Sequence, residues 1–307
     1  MNRYKGYYMI TSRCNLDCDY CVLEDSPSQI AAELDIINKL DLIDHLYDSL
    51  GFRRLTFSGG EVLVAGGKPR TQFLQILNHI RKYRMPDSNE HLEVRMYTNA
   101  LLLNQEIADA MQGVVDLVAI NIDSSEGSEL EKFGRKGRRG ASYLDRVVDV
   151  MRLLSERGIA VKIHSVIGKM NHLSLPEQVP EIWKRVKESG VKIYKWKFYQ
   201  YMSYDEPERD RRHSISIDDF ICFESRIRDT VVYSNVECHF KSNQEMDDSL
   251  FNILHYGNAQ FRLEGDTWST TRRTSDLREY TSMTDLFNKT GINAEIFNKH
   301  HLMEGRT

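Results

Sequence analysis

Cys14, Cys18 and Cys21 stand in the run Cys-Asn-Leu-Asp-Cys-Asp-Tyr-Cys, a C-x3-C-x2-C spacing directly after a short β-branched and aromatic segment. Thiolates so spaced in one loop can wrap a compact iron-sulfur cluster, and three of them leave one iron of a [4Fe-4S] cluster open to a chelating small molecule. A structural zinc site wants a fourth protein ligand, usually from a second paired motif. No such pair follows, since Cys222 and Cys238 are isolated. Further along, Ser58-Gly59-Gly60-Glu61 joins backbone that can be approached closely to a carboxylate. By itself it also reads as a plain strand-to-loop turn.

The elements that position these residues alternate. Candidate strands at 6–12, 53–58, 93–99, 116–123, 160–168 and 193–201 are separated by segments of helical spacing. Examples are Ile36, Ile37, Leu40, Ile43, Tyr47 and Leu144, Val147, Val148, Met151, Leu154. Gly51, Gly158 and Gly190 are placed to end helices in left-handed C-caps. Six βα units with right-handed crossovers predict an α/β fold, a partial (β/α)6 barrel whose catalytic face is the C-terminal edge of its strands. The barrel is expected over residues 1–202. A charged stretch, Asp205 to Arg212, then opens a C-terminal α+β extension over 203–307 that closes the substrate side.

Composition narrows the classes. Among 307 residues, a net charge of −4 argues against wholesale nucleic-acid binding, so any anion site has to be built locally. No apolar run is long enough to span a membrane, and the start Met1-Asn2-Arg3-Tyr4-Lys5-Gly6 lacks a signal-peptide core, so a cytoplasmic location is expected. Five cysteines, three of them in one loop, do not form a disulfide framework.

With Tyr20 as the aromatic before its last cysteine, the motif resembles the signature of the radical S-adenosylmethionine (radical SAM) superfamily. The resemblance implies that the open iron binds the amino and carboxylate groups of S-adenosyl-L-methionine. An external electron donor then drives its cleavage to a 5′-deoxyadenosyl radical. It also implies cofactor contacts from Tyr20, from Ser58, Gly59, Gly60 and Glu61, and from Asn99, Asn121, Ser124 and Arg135. In particular, the Gly-Gly-Glu backbone and carboxylate would receive the methionine ammonium. Val62 stands where the superfamily usually has proline.

Over roughly residues 8–262 the chain resembles the viperin-like family. The likeness is carried by segments such as Val161-Lys162-Ile163-His164-Ser165-Val166-Ile167, Lys195-Trp196-Lys197-Phe198-Tyr199-Gln200 and Ser242-Asn243-Gln244-Glu245-Met246-Asp247-Asp248-Ser249. It implies conversion of a ribonucleoside triphosphate to its 3′-deoxy-3′,4′-didehydro analogue, an antiviral chain terminator. It also implies substrate contacts from Arg54, Thr56, Lys162, His164, Lys195, Lys197 and Asn243. Strand parity agrees for two pairs: Lys162 and His164 share one face, as do Lys195 and Lys197. The competing readings are solvated surface lysines and a satisfied core histidine. Arg135, Lys136, Arg138 and Arg139 form a glycine-flanked basic loop able to close on a phosphate or carboxylate. His164 and Leu250 replace the asparagine and tyrosine of the animal enzymes, so no nucleobase preference carries over. Rival readings are a radical enzyme acting on a peptide, an RNA base or a cofactor precursor, and a noncatalytic metal-binding module.

Overall fold

The six expected strands form, each within a residue or two of its sequence bounds: β1 (Tyr4–Thr11), β2 (Phe52–Gly59), β3 (Glu93–Thr98), β4 (Leu117–Asn121), β5 (Ala160–Ile167) and β6 (Ile193–Gln200). The structure is a computed structural model that describes residues 2–21, 33–85, 90–135, 142–203, 207–231, 236–247, 250–263, 265–266 and 273–303. Lys136, Arg138 and Arg139 of the basic loop, with Asp205, Glu206, Asp248 and Ser249, lie outside the described residues.

β1 to β6 pair in chain order, all parallel. Between them lie α1 (Ile36–Asp48), α2 (Thr71–Ile80), α3 (Gln105–Met111), α4 (Gly127–Lys132), α5 (Tyr143–Ser155) and α6 (Leu175–Glu188). α5 buries Leu144, Val147, Met151 and Leu154 as its spacing predicts. α1 departs from expectation. Its buried face is Lys39, Leu42, Ile43 and Leu46, while Ile37 is 68% exposed. A buried lysine moves the face: the Lys39 ammonium donates to Gln72 at 2.8 Å and pairs with Glu33 at 2.5 Å, and that polar junction compensates its burial.

The residues after 202 do not stand apart from this sheet. β7 (Cys238–Lys241) pairs parallel with β6, and β8 (Phe251–Ile253) pairs parallel with β1. β9 (Asn258–Phe261) and β10 (Arg273–Asp276) continue outward antiparallel, giving an open ten-stranded order β10-β9-β8-β1-β2-β3-β4-β5-β6-β7. α7 (Pro207–His213), α8 (Ile217–Val231), α9 (Asn243–Asp247), α10 (Met283–Thr290) and α11 (Ala294–His301) complete the chain. No described helix is long and apolar enough to cross a membrane.

Alternation along β6 separates two chemistries. Trp196 and Phe198 are buried, Phe198 edge-on to Phe223 of α8, whereas Lys195, Lys197 and Tyr199 occupy the opposite, half-buried face. In register beside them, Lys162 aligns with Lys195, and Asn121, His164 and Lys197 fall in one row across β4, β5 and β6.

Candidate active site

The cysteine loop leaves the end of β1 and is held by backbone on both sides. Gly60 and Glu61 N–H groups donate to the Thr11 and Arg13 carbonyls at 3.0 and 2.8 Å. A Cβ on Gly59, whose φ is +133°, would sit 2.1 Å from the Thr11 carbonyl oxygen. The close approach that demands glycine here is therefore between two strand ends of the protein itself. On the other flank, Asp17 and Asp19 N–H groups donate to the Gly134 and Phe133 carbonyls, each at 3.3 Å. Gly134, at φ +76°, would place a Cβ 1.6 Å from the Asp17 carbonyl oxygen, so a larger residue there would push the loop outward.

Cys14 is exposed, Cys18 and Cys21 are half-buried, and none of the three forms a disulfide. The Cys21 N–H donates to the Cys18 carbonyl at 2.9 Å, closing a turn between those two cysteines. Although Cys14 is exposed as a residue, its sulfur is desolvated by the surrounding loop, which pushes the thiol up to about 12; burial pushes the Cys18 thiol to about 11 against the opposing pull of the Arg135 guanidinium. Thiols that are protonated when ligand-free must lose protons to bind metal, and a nearby fixed cation favours the thiolate. Among the described residues no three His, Cys, Asp or Glu groups gather around a single ion. A cluster ligated by one thiolate per iron asks instead for spread donors on one accessible loop, and the cysteine loop with its flanking guanidinium fits that demand.

Behind the loop lies a buried junction that the sequence reading left without a role. Asp123, just past β4 and fully buried, accepts from Tyr20 Oη at 2.6 Å and from the Val166 N–H at 2.7 Å, and it pairs with Arg135 Nε at 3.2 Å. Arg135 in turn donates to Tyr143 Oη at 2.8 Å and to the Asn121 carbonyl at 3.4 Å. Tyr20 and Arg135, both expected at the cofactor, are thereby fixed by a carboxylate 103 residues from Tyr20 in sequence. An acidic residue immediately beyond a strand C-terminus was the available signal.

The other expected cofactor residues divide. Asn99 follows β3 with its amide nitrogen 2.8 Å from Asn15 and 3.9 Å from the Cys14 sulfur, at the loop's inner side. The next residue, Ala100, holds φ +68°, a left-handed backbone uncommon outside glycine and asparagine. Ser58, next to last in β2, is half-buried. Glu61, expected to offer its carboxylate to an ammonium, turns it inward. The carboxylate is fully buried, lies 2.9 Å from Thr98 Oγ1, and accepts from the N–H groups of Asn99 at 2.8 Å and Leu63 at 3.2 Å. Burial pushes it up to about 7 despite those donors. Ser124 likewise spends its hydroxyl internally, 2.6 Å from a Glu129 oxygen and 2.8 Å from Gln178 Oε1.

The expected substrate residues collect on the β-sheet face described above, with additions. Lys162 is 4% exposed, with its ammonium 4.9 Å from the Tyr97 ring centroid. His164 is wedged edge-on between Tyr97 and Tyr199, and its Nε2 has no hydrogen-bond partner. No carboxylate pairs with Lys162 or Lys197 among the described residues. Burial, then the charges of Lys197, Arg95, Lys195 and Arg54, push Lys162 down to about 7; burial, then Lys195, Lys241, Arg95 and Lys5, push Lys197 to about 8. His164 is driven well below the usual histidine range by burial and the same two lysines. Arg95 and Lys241 are members of this cationic face that the sequence reading missed. Lys195 pairs with Glu237 at 3.3 Å, and Arg54 and Arg95 each pair with Glu93 at 2.7 Å, so these three cations are partly neutralised. Thr56 is buried within β2. Asn243 binds the end of β6, donating to the Tyr201 carbonyl at 3.0 Å, and leaves its own Oδ1 buried without a partner.

A three-thiol loop at the C-terminal edge of a parallel sheet defines a class, and comparison with known proteins agrees with it. The Radical SAM superfamily model matches residues 8–178, more than half of the chain, and the chain belongs to that superfamily. It is 26% identical over 182 residues to a GTP 3′,8-cyclase of Rhodopseudomonas palustris, an alignment covering 59% of this chain and 48% of the cyclase. It is 25% identical over 191 residues to the antilisterial bacteriocin subtilosin biosynthesis protein AlbA of Bacillus subtilis, covering 62% and 38% respectively. The chain thus spans about half or less of the length of these relatives. In fold it is similar to Streptococcus suis SuiB bound to S-adenosylmethionine, with a TM-score of 0.64 at 13% identity over 96% of this chain and 67% of SuiB. It is similar also to anSMEcpe with bound AdoMet, at 0.64 and 18% over 96% and 82%. Its cofactors are accordingly a [4Fe-4S] cluster and S-adenosyl-L-methionine. These likenesses establish a radical SAM enzyme and stop short of the narrower viperin-like family.

Proposed function

We propose that this enzyme acts on a ribonucleoside triphosphate, removing a ribose hydrogen and dehydrating the sugar to the 3′-deoxy-3′,4′-didehydro analogue. The observation that carries the substrate class is the pairing of buried Lys162 with half-buried Lys197, set among like charges with no carboxylate partner among the described residues. Cations so placed destabilise the empty site and favour a polyanion that arrives with several negative charges. When bound, the cofactors supply the hydrogen-abstracting radical. This chain's part is to bind the phosphates on Lys162, Lys197 and their neighbours, to hold the sugar beside the cysteine loop, and to offer His164 Nε2 to a hydroxyl or base. The dehydration itself rests on the viperin-like segments of β5 and β6.

The GTP 3′,8-cyclases, and SuiB solved bound to precursor peptide SuiA, supply the competing substrates, GTP and a peptide. Anaerobic incubation with reductant, S-adenosylmethionine and each of four ribonucleoside triphosphates, followed by mass spectrometry, separates them. Loss of one water from one nucleotide, with matching 5′-deoxyadenosine, is the expected result. Unaltered nucleotides with slow, equal 5′-deoxyadenosine from all four would end the nucleotide reading.

The lysine pair also makes triphosphate affinity depend on pH in a defined direction. The free Lys162 and Lys197 lose their protons near pH 7 and 8. A bound polyanion favours their charged forms and raises both values, so binding takes up protons above about pH 7 and affinity falls as the pH rises through 8. Either Lys162→Met or Lys197→Ala is expected to weaken binding by about 1.5–3 kcal/mol, roughly 10- to 150-fold. Removal of Lys162 is expected to raise the urea midpoint of the ligand-free protein, because the folded state holds that charge against burial and repulsion. Calorimetric titration in buffers of different ionisation enthalpy reads the proton uptake. A pH-independent dissociation constant would place the lysines outside the phosphate site.

A further inference from the structure

We propose that α7, the helix formed from the charged stretch after the sixth strand, is a strap that sets the geometry of the cysteine loop, with Arg209 and His213 as positioning residues. α7 presents alternate faces to two different neighbours. Glu208, Arg211 and Arg212 are exposed, whereas Arg209 and His213, four residues apart on one helix face, are 5% and 4% exposed. Two cationic-type side chains are rarely buried together on so short a helix without a structural purpose. Both reach the cysteine loop. Arg209 Nη1 donates to the carbonyl of Cys21 at 3.3 Å. His213 Nε2 lies 3.3 Å from the carboxylate of Asp19, and its ring stands edge-on to Tyr20 at 6.2 Å.

The other side of α7 is pinned to the strand ends that carry the lysine face. The His213 carbonyl accepts from the Lys169 N–H at 2.9 Å just past β5, and the Arg211 carbonyl accepts from Lys169 Nζ at 2.8 Å. Tyr201, directly after β6, donates its hydroxyl to Asp210 at 3.1 Å, and its ring lies 5.3 Å from the His213 imidazole. Tyr201 is itself fixed by its N–H to the Ile167 carbonyl at 2.7 Å and by Asn243 on its own carbonyl. The loop is therefore clamped between two supports, the 133–134 backbone on one flank and α7 on the other. Ordering a loop backbone costs conformational entropy, and a strap that orders it before metal arrives moves that cost into folding.

The test uses the full-length apo protein as well as the reconstituted one. Alkylation of Cys18 and Cys21 by iodoacetamide is followed by peptide mass spectrometry, with exposed Cys222 on α8 as the internal reference. Iron release from the reconstituted cluster to a chelator is timed in parallel. Arg209→Met is expected to speed Cys21 alkylation and iron release by about tenfold, the loss of roughly one hydrogen bond. Cys222 is expected to keep its wild-type rate, Arg209→Lys to fall between the two, and Arg211→Met on the exposed face to match wild type. Equal Cys21 and iron-release rates in Arg209→Met and wild type would overturn the strap. So would a parallel rise at Cys222, since Arg209 would then support the fold as a whole rather than the loop.

Discussion

Cys14→Ala, Cys18→Ala and Cys21→Ala are each expected to abolish cleavage of S-adenosylmethionine, while Cys222→Ala and Cys238→Ala retain it. The three loop thiols are the cluster's only protein ligands in this reading, and each serves a different iron, so no neighbour can stand in for a missing one. Cys222 is exposed on α8, and Cys238 opens β7 beside Trp196, so neither reaches the loop. Apart from the Leu16 N–H, which donates to the Cys14 sulfur at 3.4 Å, the loop backbone is carried by Thr11, Arg13, Phe133 and Gly134, so the alanine variants should keep the wild-type fold and melting behaviour. Iron and sulfide content after anaerobic reconstitution, with 5′-deoxyadenosine as the activity readout, checks the prediction. Full cleavage in any one of the three loop variants would sink the assignment of that cysteine.

How much of this was legible in the chain depends on the range of the interaction. The strands were readable because burial parity is local, and the same parity put Lys162 with His164 and Lys195 with Lys197 on one face. What parity could not supply is which neighbours share that face. Arg95 joins through β3 and Lys241 through β7, and only sheet order reveals either. The α1 face was misjudged because apolar periodicity ranks Ile37 above Lys39, whereas Glu33 and Gln72 make the lysine the better-buried residue.

The Gly-Gly-Glu motif shows a different limit. The family resemblance implies cofactor contacts for this motif; the structure adds internal roles, since Gly59 is demanded by the Thr11 carbonyl, and Glu61 ties the end of β2 to the end of β3 through Thr98 and Asn99. The motif's first contribution is to align three strand ends around the cysteine loop. Glu61 also fixes Asn99, whose amide donates to Asn15 in the loop. The charged stretch after residue 202 shows the converse: expected only to open the C-terminal extension, it forms a helix that buries its third and seventh residues, Arg209 and His213, against the loop.

Removing Asp123 is expected to cost more stability than removing any surface charge in the molecule. Its carboxylate meets Tyr20 Oη, Arg135 and the Val166 N–H inside a site from which water is excluded. Asp123→Ala leaves a guanidinium that is 6% exposed without its counter-ion and two further donors unsatisfied, a loss of about 3–5 kcal/mol. Against a total stability of roughly 5–15 kcal/mol for a folded domain, that is a large share. The charge imbalance predicts a specific non-additivity. Because the orphaned cation accounts for much of the loss, the double variant Asp123→Ala, Arg135→Met should be more stable than Asp123→Ala alone. Urea unfolding of the apo proteins measures both. A single variant within about 1 kcal/mol of wild type, or a double variant whose losses merely add, would mean that the junction is solvated or relaxed. The positions of Tyr20 and Arg135 beside the cluster loop would then need another support.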